Sequence, residues 1–304
     1  MLSEDLDRHI RLHHALGFKF RTQALLLRNF VAYAEAHGDQ VVSADRILAW
    51  ALEAPSPEQR CNRLGEARRF AIAMHAEDPR HEVPAADALG RARFTRRIPY
   101  IYSHAEVLCL ITAAHALPPV GTIRPRTFAT LFGLLAATGM RISEALALSL
   151  PDITNDGLLV EKTKFKKSRL LPLHSSTRRA LDDYLEARLQ LGTSSSALLV
   201  DIAGKRVAYD TVSAVFRRLA RSIGLRGAPG SRGPRIHDLR HTFAVRSLEA
   251  CAADTEAVSR HIVGLSTYLG HAHVTDTYWY LQASPSLMTH IAAAGEALQQ
   301  GRFQ

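Results

Sequence analysis

No stretch of the 304-residue sequence approaches the roughly 18 uncharged apolar residues that a membrane-crossing helix needs. The nearest run, LFGLLAATGM, is closed by Arg141. Cysteine is scarce. Cys61, Cys109 and Cys251 are odd in number, widely spaced and form no CxxC pair, which speaks against a disulfide framework or a zinc knuckle and fits a reducing compartment. The opening MLSEDLDRHIRLHH lacks the apolar core of a secretory leader. The chain is therefore expected in the cytoplasm with no membrane partner. No internal repeat and no low-complexity tract interrupts it.

Positive charge is what the chain has in excess: 38 Lys and Arg against 29 Asp and Glu, a formal net charge of +9. The excess is gathered into runs, and clustering points to a polyanionic partner where net charge alone does not. Arg91, Arg93, Arg96 and Arg97 form one run. Lys162, Lys164, Lys166, Lys167 and Arg169 form a second, and Arg217, Arg218, Arg221, Arg226, Arg232 and Arg235 a third. Any single run reads equally well as a solvated face.

The length favours two domains, and the pattern separates them. Residues 1–85 read as a helical domain: Ser3 caps a helix carrying Leu6, Ile10 and Leu16 that Gly17 ends, and Thr22 opens a second with Leu26, Phe30 and Tyr33. Ser43 begins a third with Ile47 and Trp50, and Ser56-Pro57 a fourth with Leu64, Phe70 and Met74. Residues 86–102, rich in Ala and Arg without an apolar period, read as a basic linker. From Ser103, where Glu106 completes a capping box, residues 103–304 read as a second domain. An apolar helix from Thr127 to Thr138 stops at Gly139. GLLVEK and SRLLPL read as two short strands around a basic turn, with ALLV near Leu198 as a third. Helices follow over residues 176–189, 210–223, 237–250 and 255–269, with a last amphipathic helix after Pro285. The fold class expected is mainly α with a small antiparallel sheet, in two domains.

Three places in the second domain combine residues suited to anionic chemistry. Arg141 follows the helix stop in ATGMRISEAL, where the turn Gly139-Met140 can aim it into a cleft. His237 and Arg240 in RIHDLRHTF are three apart, on one face of a helix start that itself favours phosphate. His271 and Tyr280 in GHAHVTDTYWYL are nine apart. A guanidinium fork binds two oxygens of a phosphate, and a tyrosine is a competent nucleophile. Singly, each is ordinary: a surface arginine, a helix-start histidine, a core aromatic.

Their order and wording are another matter. ATGMRISEALAL, TKFKKSRLLPL, HDLRHTFA and LGHAHVTDTYWYL together resemble the tyrosine recombinase (phage integrase) family, whose boxes read approximately TGxRxSEL, a basic β-turn, HxLRHTFA and LGHxxxxxTxxYxH. The resemblance runs from about Ser103 to about Met288. It implies that Arg141 and Arg240 clamp the scissile phosphate, that His237 assists proton transfer or orientation, and that His271 donates to a non-bridging oxygen. Tyr280 falls at the nucleophile. Aligning SRLLPL with the family's second strand puts Lys164 at the general-acid lysine, with Lys166 and Lys167 beside it. Glu144 falls at the box's acidic residue and is expected to support Arg141. A second phenol, Tyr278, lies about 200° away around a helix; the spacing from His271 favours Tyr280.

The activity implied is site-specific cleavage and rejoining of double-stranded DNA through a 3′-phosphotyrosyl link, without cofactor or metal. The N-terminal helices resemble the family's core-binding domain, and the two domains would form a C-shaped clamp around the duplex. The resemblance further implies a homotetramer on two duplexes, a dimer per site, with accessory DNA-binding or co-recombinase proteins as possible partners and a nucleoid location. It also implies a last helix that docks on a neighbouring protomer; packing on its own domain is the plain alternative. The wording between Arg240 and His271, with DTYWYL, resembles recombinases encoded by bacterial transposons, which points to integration or transposition of a mobile element. Three rivals stay open. His237 and His241 stand i, i+4, as in zinc hydrolases, but lack the HExxH glutamate. A DNA-binding protein that has lost catalysis and a type IB topoisomerase share the fold or the chemistry.

Overall fold

The computed structural model describes all residues except 91–96, 162–167, 251–254 and 283–304, together with the side chains of 255–259 and 281–282. Lys164 and the helix expected after Pro285 lie outside the described residues. The chain divides into two units, Met1–Arg97 and Ile98–Gln304.

The first unit is built from α1 (Leu2–Ala15), α2 (Arg21–Ala36), α3 (Ala44–Leu52) and α4 (Pro57–Glu77). Ser43 and Ser56 each accept a hydrogen bond from the backbone N–H three residues on, and Pro57 occupies the first helical position, where a missing N–H costs nothing. Leu6, Ile10, Phe30, Ile47, Trp50, Leu64, Phe70 and Met74 close a common core. Three details differ from the sequence pattern. The second helix starts at Arg21 with Phe20 as its N-cap, so Thr22 lies inside it. The first helix starts from Met1, which places Ser3 inside it, and Leu16 remains 64% exposed because the helix has already ended at Ala15.

The second unit begins earlier than the composition implies. Tyr102, inside the stretch expected as linker, is fully buried; its N–H donates to Thr242 Oγ1 at 2.9 Å and its hydroxyl to the Arg235 carbonyl at 3.0 Å. Then come α5 (His104–His115), α6 (Ile123–Thr138) and the short α7 (Ile142–Ala147). The capping box at the start of α5 is made as expected: Ser103 Oγ accepts from Glu106 N, and Glu106 accepts from Ser103 N. Three antiparallel strands follow in the order β1 (Ile153–Thr154), β2 (Gly157–Val160), β3 (Arg169–Leu171). The hairpin expected between GLLVEK and SRLLPL is present, with Leu158 opposite Leu171 and Val160 opposite Arg169. The third strand is not ALLV but Ile153–Thr154; Ala197 and Val200 form only isolated bridges, while their segment runs through the core.

The chain continues through α8 (Ser175–Leu189), α9 (Tyr209–Ser222), α10 (Asp238–Glu249), α11 (Thr255–Leu269) and α12 (Thr275–Gln282). The main core gathers α5, α6, α8 and α9 around Phe132, Leu110 and Tyr184. Burying a side chain such as Phe132 contributes about 1.5–3 kcal/mol. A second cluster joins Ala244, Val245 and Leu248 of α10 to Ile262, Leu265 and Leu269 of α11 and to Tyr280 of α12. That cluster carries the last two sequence boxes to the end of α6, where the first one lies. Among the described residues, no helix is long and apolar enough to cross a membrane.

Candidate active site

The site forms where three chain reversals meet. At the first, α6 ends at Thr138 and Gly139 takes a left-handed conformation (φ +60°). A Cβ there would lie 2.5 Å from the Phe243 ring, so both the backbone angle and the close approach of α10 require glycine. The chain then extends through Arg141, which is the N-cap of α7, and Glu144 at its third helical position turns back to accept from Arg141 N at 2.9 Å. The same carboxylate accepts from Arg141 Nη1 at 2.8 Å.

At the second reversal α11 ends in a Schellman turn. Gly270, with φ +68°, donates its N–H to the Thr267 carbonyl, and His271 donates to the Ser266 carbonyl. This arrangement leaves the next three carbonyls for side chains. Each accepts from a different arginine: Tyr268 from Arg169 Nε at 2.8 Å, Leu269 from Arg240 Nη2 at 2.8 Å, and Gly270 from Arg141 Nη2 at 2.9 Å. Cations at the negative end of a helix dipole are favourably placed. Arg240 also holds the Gly139 carbonyl through Nη1 at 2.8 Å. Residues more than a hundred positions apart are thus tied into one constellation.

The third reversal is the start of α10, where His237 is the N-cap and Asp238 accepts from Arg235 N at 2.7 Å and from Arg235 Nη2 at 3.0 Å. His237 keeps an exposed edge, yet the chain packed around its ring, and after it the charges of Arg240 and Arg235, lower its pKa. Its ring meets His241 edge-on at 4.7 Å. Among the described residues, no three His, Cys, Asp or Glu side chains converge as metal ligands.

The electrostatics follow from the crowding of cations. Burial, then the nearby Arg141, draws the pKa of Arg240 down to about 10, which leaves it charged at neutral pH. Burial, then Arg240 and Arg141, takes His271 down to about 4, so its imidazole is neutral. Burial pushes the Glu144 carboxyl up, but hydrogen bonds from Arg169 and Arg141 outweigh this and hold it below its ordinary value.

Tyr280 packs into the same place. It is 3% exposed, its ring lies 6.0 Å from that of His271 at 22° and 5.5 Å from that of His241, and it contributes to the field at Arg240. Tyr278 is 50% exposed. Arg141, Arg240, His271 and Tyr280 are therefore together, with His237 one helical turn from His241 on the same helix. Sequence reasoning gave no role to two residues. Arg169 was visible only as a member of a basic run. Thr277, fully buried, bonds His271 Nδ1 through its hydroxyl at 2.8 Å.

That bond has a chemical use. A neutral imidazole carries one N–H; a hydroxyl donating to Nδ1 leaves the proton on Nε2, as a donor to an anionic oxygen requires. Thr277→Val is expected to slow cleavage about tenfold, the worth of one orienting hydrogen bond, while Thr277→Ser stays near wild type. Equal rates for valine and threonine would show that the bond sets nothing.

Comparison with known proteins agrees with this geometry. The model of the phage integrase family matches residues 103–286. The Sinorhizobium fredii protein y4rB, provisionally named an integrase/recombinase, is 40% identical over 294 residues, covering 93% of each chain. The tyrosine recombinase XerD of Bifidobacterium longum is 31% identical over 244 residues, 77% of this chain and 73% of that one. Among solved structures, XerH recombinase bound to a palindromic difH substrate superposes with a TM-score of 0.66 at 18% identity, covering 90% of this chain and 79% of that one. A lambda integrase dimer bound to a core site gives 0.65 at 20%, covering 92% and 76%. At these identities the structural likenesses establish the fold. The chain belongs to the phage integrase family, the tyrosine recombinases, which cleave and rejoin DNA through a tyrosine intermediate. This is the family that the four boxes resemble.

Proposed function

We propose that Tyr280 is the nucleophile of this recombinase and that Arg141 and Arg240 hold the scissile phosphate. The phenolic oxygen attacks phosphorus, the bond to the 5′-oxygen breaks, and that oxygen leaves as a hydroxyl. His271 donates from Nε2 to a non-bridging oxygen, and His237 assists proton transfer or orientation at the mouth of α10. Lys164, which falls between β2 and β3 in sequence, protonates the leaving oxygen. The 5′-hydroxyl of a partner duplex then reverses the step, so the energy of the phosphodiester is conserved and no nucleotide cofactor is consumed.

One observation carries this reading: four separate segments converge so that the Tyr280 ring stacks on His271 beside two buried or half-buried guanidinia. Fixed cations aimed at developing charge are the largest rate factor in such reactions. The partner is double-stranded DNA, in keeping with the net charge of +9 and with the DNA-bound lambda integrase dimer and Holliday-junction tetramer of the same fold. Two duplexes held by four protomers, with the N-terminal helical unit adding phosphate contacts, make the working assembly. Relatives named integrase favour a mobile element as its context.

The test uses nicked duplexes with a randomised core, in which a short 5′-hydroxyl fragment diffuses away after cleavage. Protein-linked strands recovered under denaturing conditions identify the sequence cut, and mass spectrometry identifies the linked residue. A 3′-phosphate ester on Tyr280 is expected; a link at Tyr278 or elsewhere would refute the assignment.

A further inference from the structure

Arg169 opens β3, five residues after Lys164 in sequence, and its side chain is buried to 10% exposure. All three of its nitrogens are engaged. Nη2 and Nη1 meet the two carboxylate oxygens of Glu144 at 2.7 and 3.2 Å, and Nε donates to the Tyr268 carbonyl at 2.8 Å. Glu144 in turn holds Arg141 at both its backbone N–H and its guanidinium. The end of α11 is gripped by Arg169, Arg240 and Arg141 on successive carbonyls.

We infer that Arg169 is a positioning residue for DNA cleavage, acting through Glu144 on Arg141 and through the Tyr268 carbonyl on the His271 turn, and touching no phosphate itself. The inference rests on the reading of Arg141 as a phosphate ligand. A forked guanidinium suits the task because its planar donors fix the directions of both acceptors at once. Glu144 alone would bind Arg141 as a tight pair and compete with the substrate phosphate for it. Arg169 shares that carboxylate, neutralises its charge and leaves the Arg141 fork with capacity to spare. It also fastens the start of β3 to the turn that carries His271. Gly270 belongs to the same arrangement: a Cβ there would lie 2.9 Å from Arg169 Nη1.

The groups of charge facing Glu144 are Arg141 on its own element, Arg169 from β3 and Arg240 from α10. Without Arg169 the buried carboxyl loses its strongest partner and its pKa rises. It is then protonated, and holds Arg141 without the charge that strengthens the bond, at pH values where the wild type is ionised. The acid limb of the cleavage profile should therefore move to higher pH.

The experiment measures covalent adduct formation and duplex affinity for the full chain on the duplex recovered from the randomised library. Arg169→Ala is expected to slow adduct formation by about 10- to 100-fold, the usual cost of losing a group that orients a reacting one, with duplex affinity changed by less than about twofold and the acid limb shifted upward. In a Glu144→Gln background the same substitution should cost less than in the wild type, the remaining loss being the share that runs through the Tyr268 carbonyl. Arg169→Lys keeps the charge but cannot reach both acceptors, so its rate should be intermediate; it carries the same measurements if the alanine variant does not fold. Equal losses in both backgrounds, weakened affinity at an unchanged rate, or a wild-type rate with an unmoved pH profile would each overturn the inference. Arg141→Ala is run beside these variants. Should it cleave at the wild-type rate, the phosphate reading itself falls; should it be inactive, an unaffected Arg169→Ala condemns only the role given to Arg169.

Discussion

Tyr280→Phe is expected to bring covalent trapping down to background, a loss on the order of 10⁶-fold as for other enzymes stripped of their nucleophile, while duplex affinity stays within about twofold of wild type. The substitution removes one oxygen and keeps the ring. It retains the ring contacts with His271 and His241 and the place in the cluster with Leu265 and Leu269, so α12 should remain docked. Binding depends on phosphate contacts spread over the protein surface, and these do not include the phenol. The control is Tyr278→Phe. That ring is half exposed two residues earlier on α12 and its replacement should leave trapping intact. An inactive Tyr278→Phe beside an active Tyr280→Phe would falsify the assignment, and with it the use of the nine-residue spacing from His271.

The contrast between these two tyrosines shows where the sequence was informative. Local signals survived folding: the stop at Gly139, the caps at Ser43, Ser56 and Ser103, and the position of Tyr280 relative to His271 all depend on a few neighbouring residues. Elements too short to show a period did not announce themselves. The two-residue strand Ile153–Thr154 leaves no alternation to detect, and the six-residue α7 is under two turns. ALLV read as a strand because a short apolar run looks the same whether it pairs in a sheet or merely crosses a core. The least legible features were partnerships across the chain. Arg169 meets Glu144 from 25 residues away and the Tyr268 carbonyl from 99. No spacing rule connects such positions, so a buried fork looked like one more basic residue in a solvated run. Thr277 escaped notice for a related reason. The box places a threonine six residues after His271, but nothing in that spacing shows that its hydroxyl meets the His271 ring.

Arg240 is the residue whose replacement should damage the site most among the cations, and the choice of substitution decides what is learned. Two of its five N–H donors go to the Gly139 and Leu269 carbonyls at 2.8 Å, which leaves three for a phosphate. Arg240→Ala would strand two carbonyls in a buried place, at about 1–3 kcal/mol for each group left unsatisfied, so lost activity could reflect a loosened α6–α11 junction. Arg240→Lys is the cleaner variant. It keeps a positive charge, but a single ammonium cannot span both carbonyls and still present a planar pair of donors to two phosphate oxygens. Cleavage is expected to fall by about 10²-fold or more, with a smaller loss of thermal stability than for the alanine variant. The pH profile adds a second check. Arg240 stays charged well above neutrality, whereas a lysine in the same buried spot, facing Arg141, would have its pKa lowered by both burial and like charge. Residual activity of Arg240→Lys should therefore decline as pH rises through the lysine's lowered pKa, in a range where the wild type is flat. Wild-type activity with an unchanged profile would remove Arg240 from the phosphate clamp and leave it as a strut between Gly139 and Leu269.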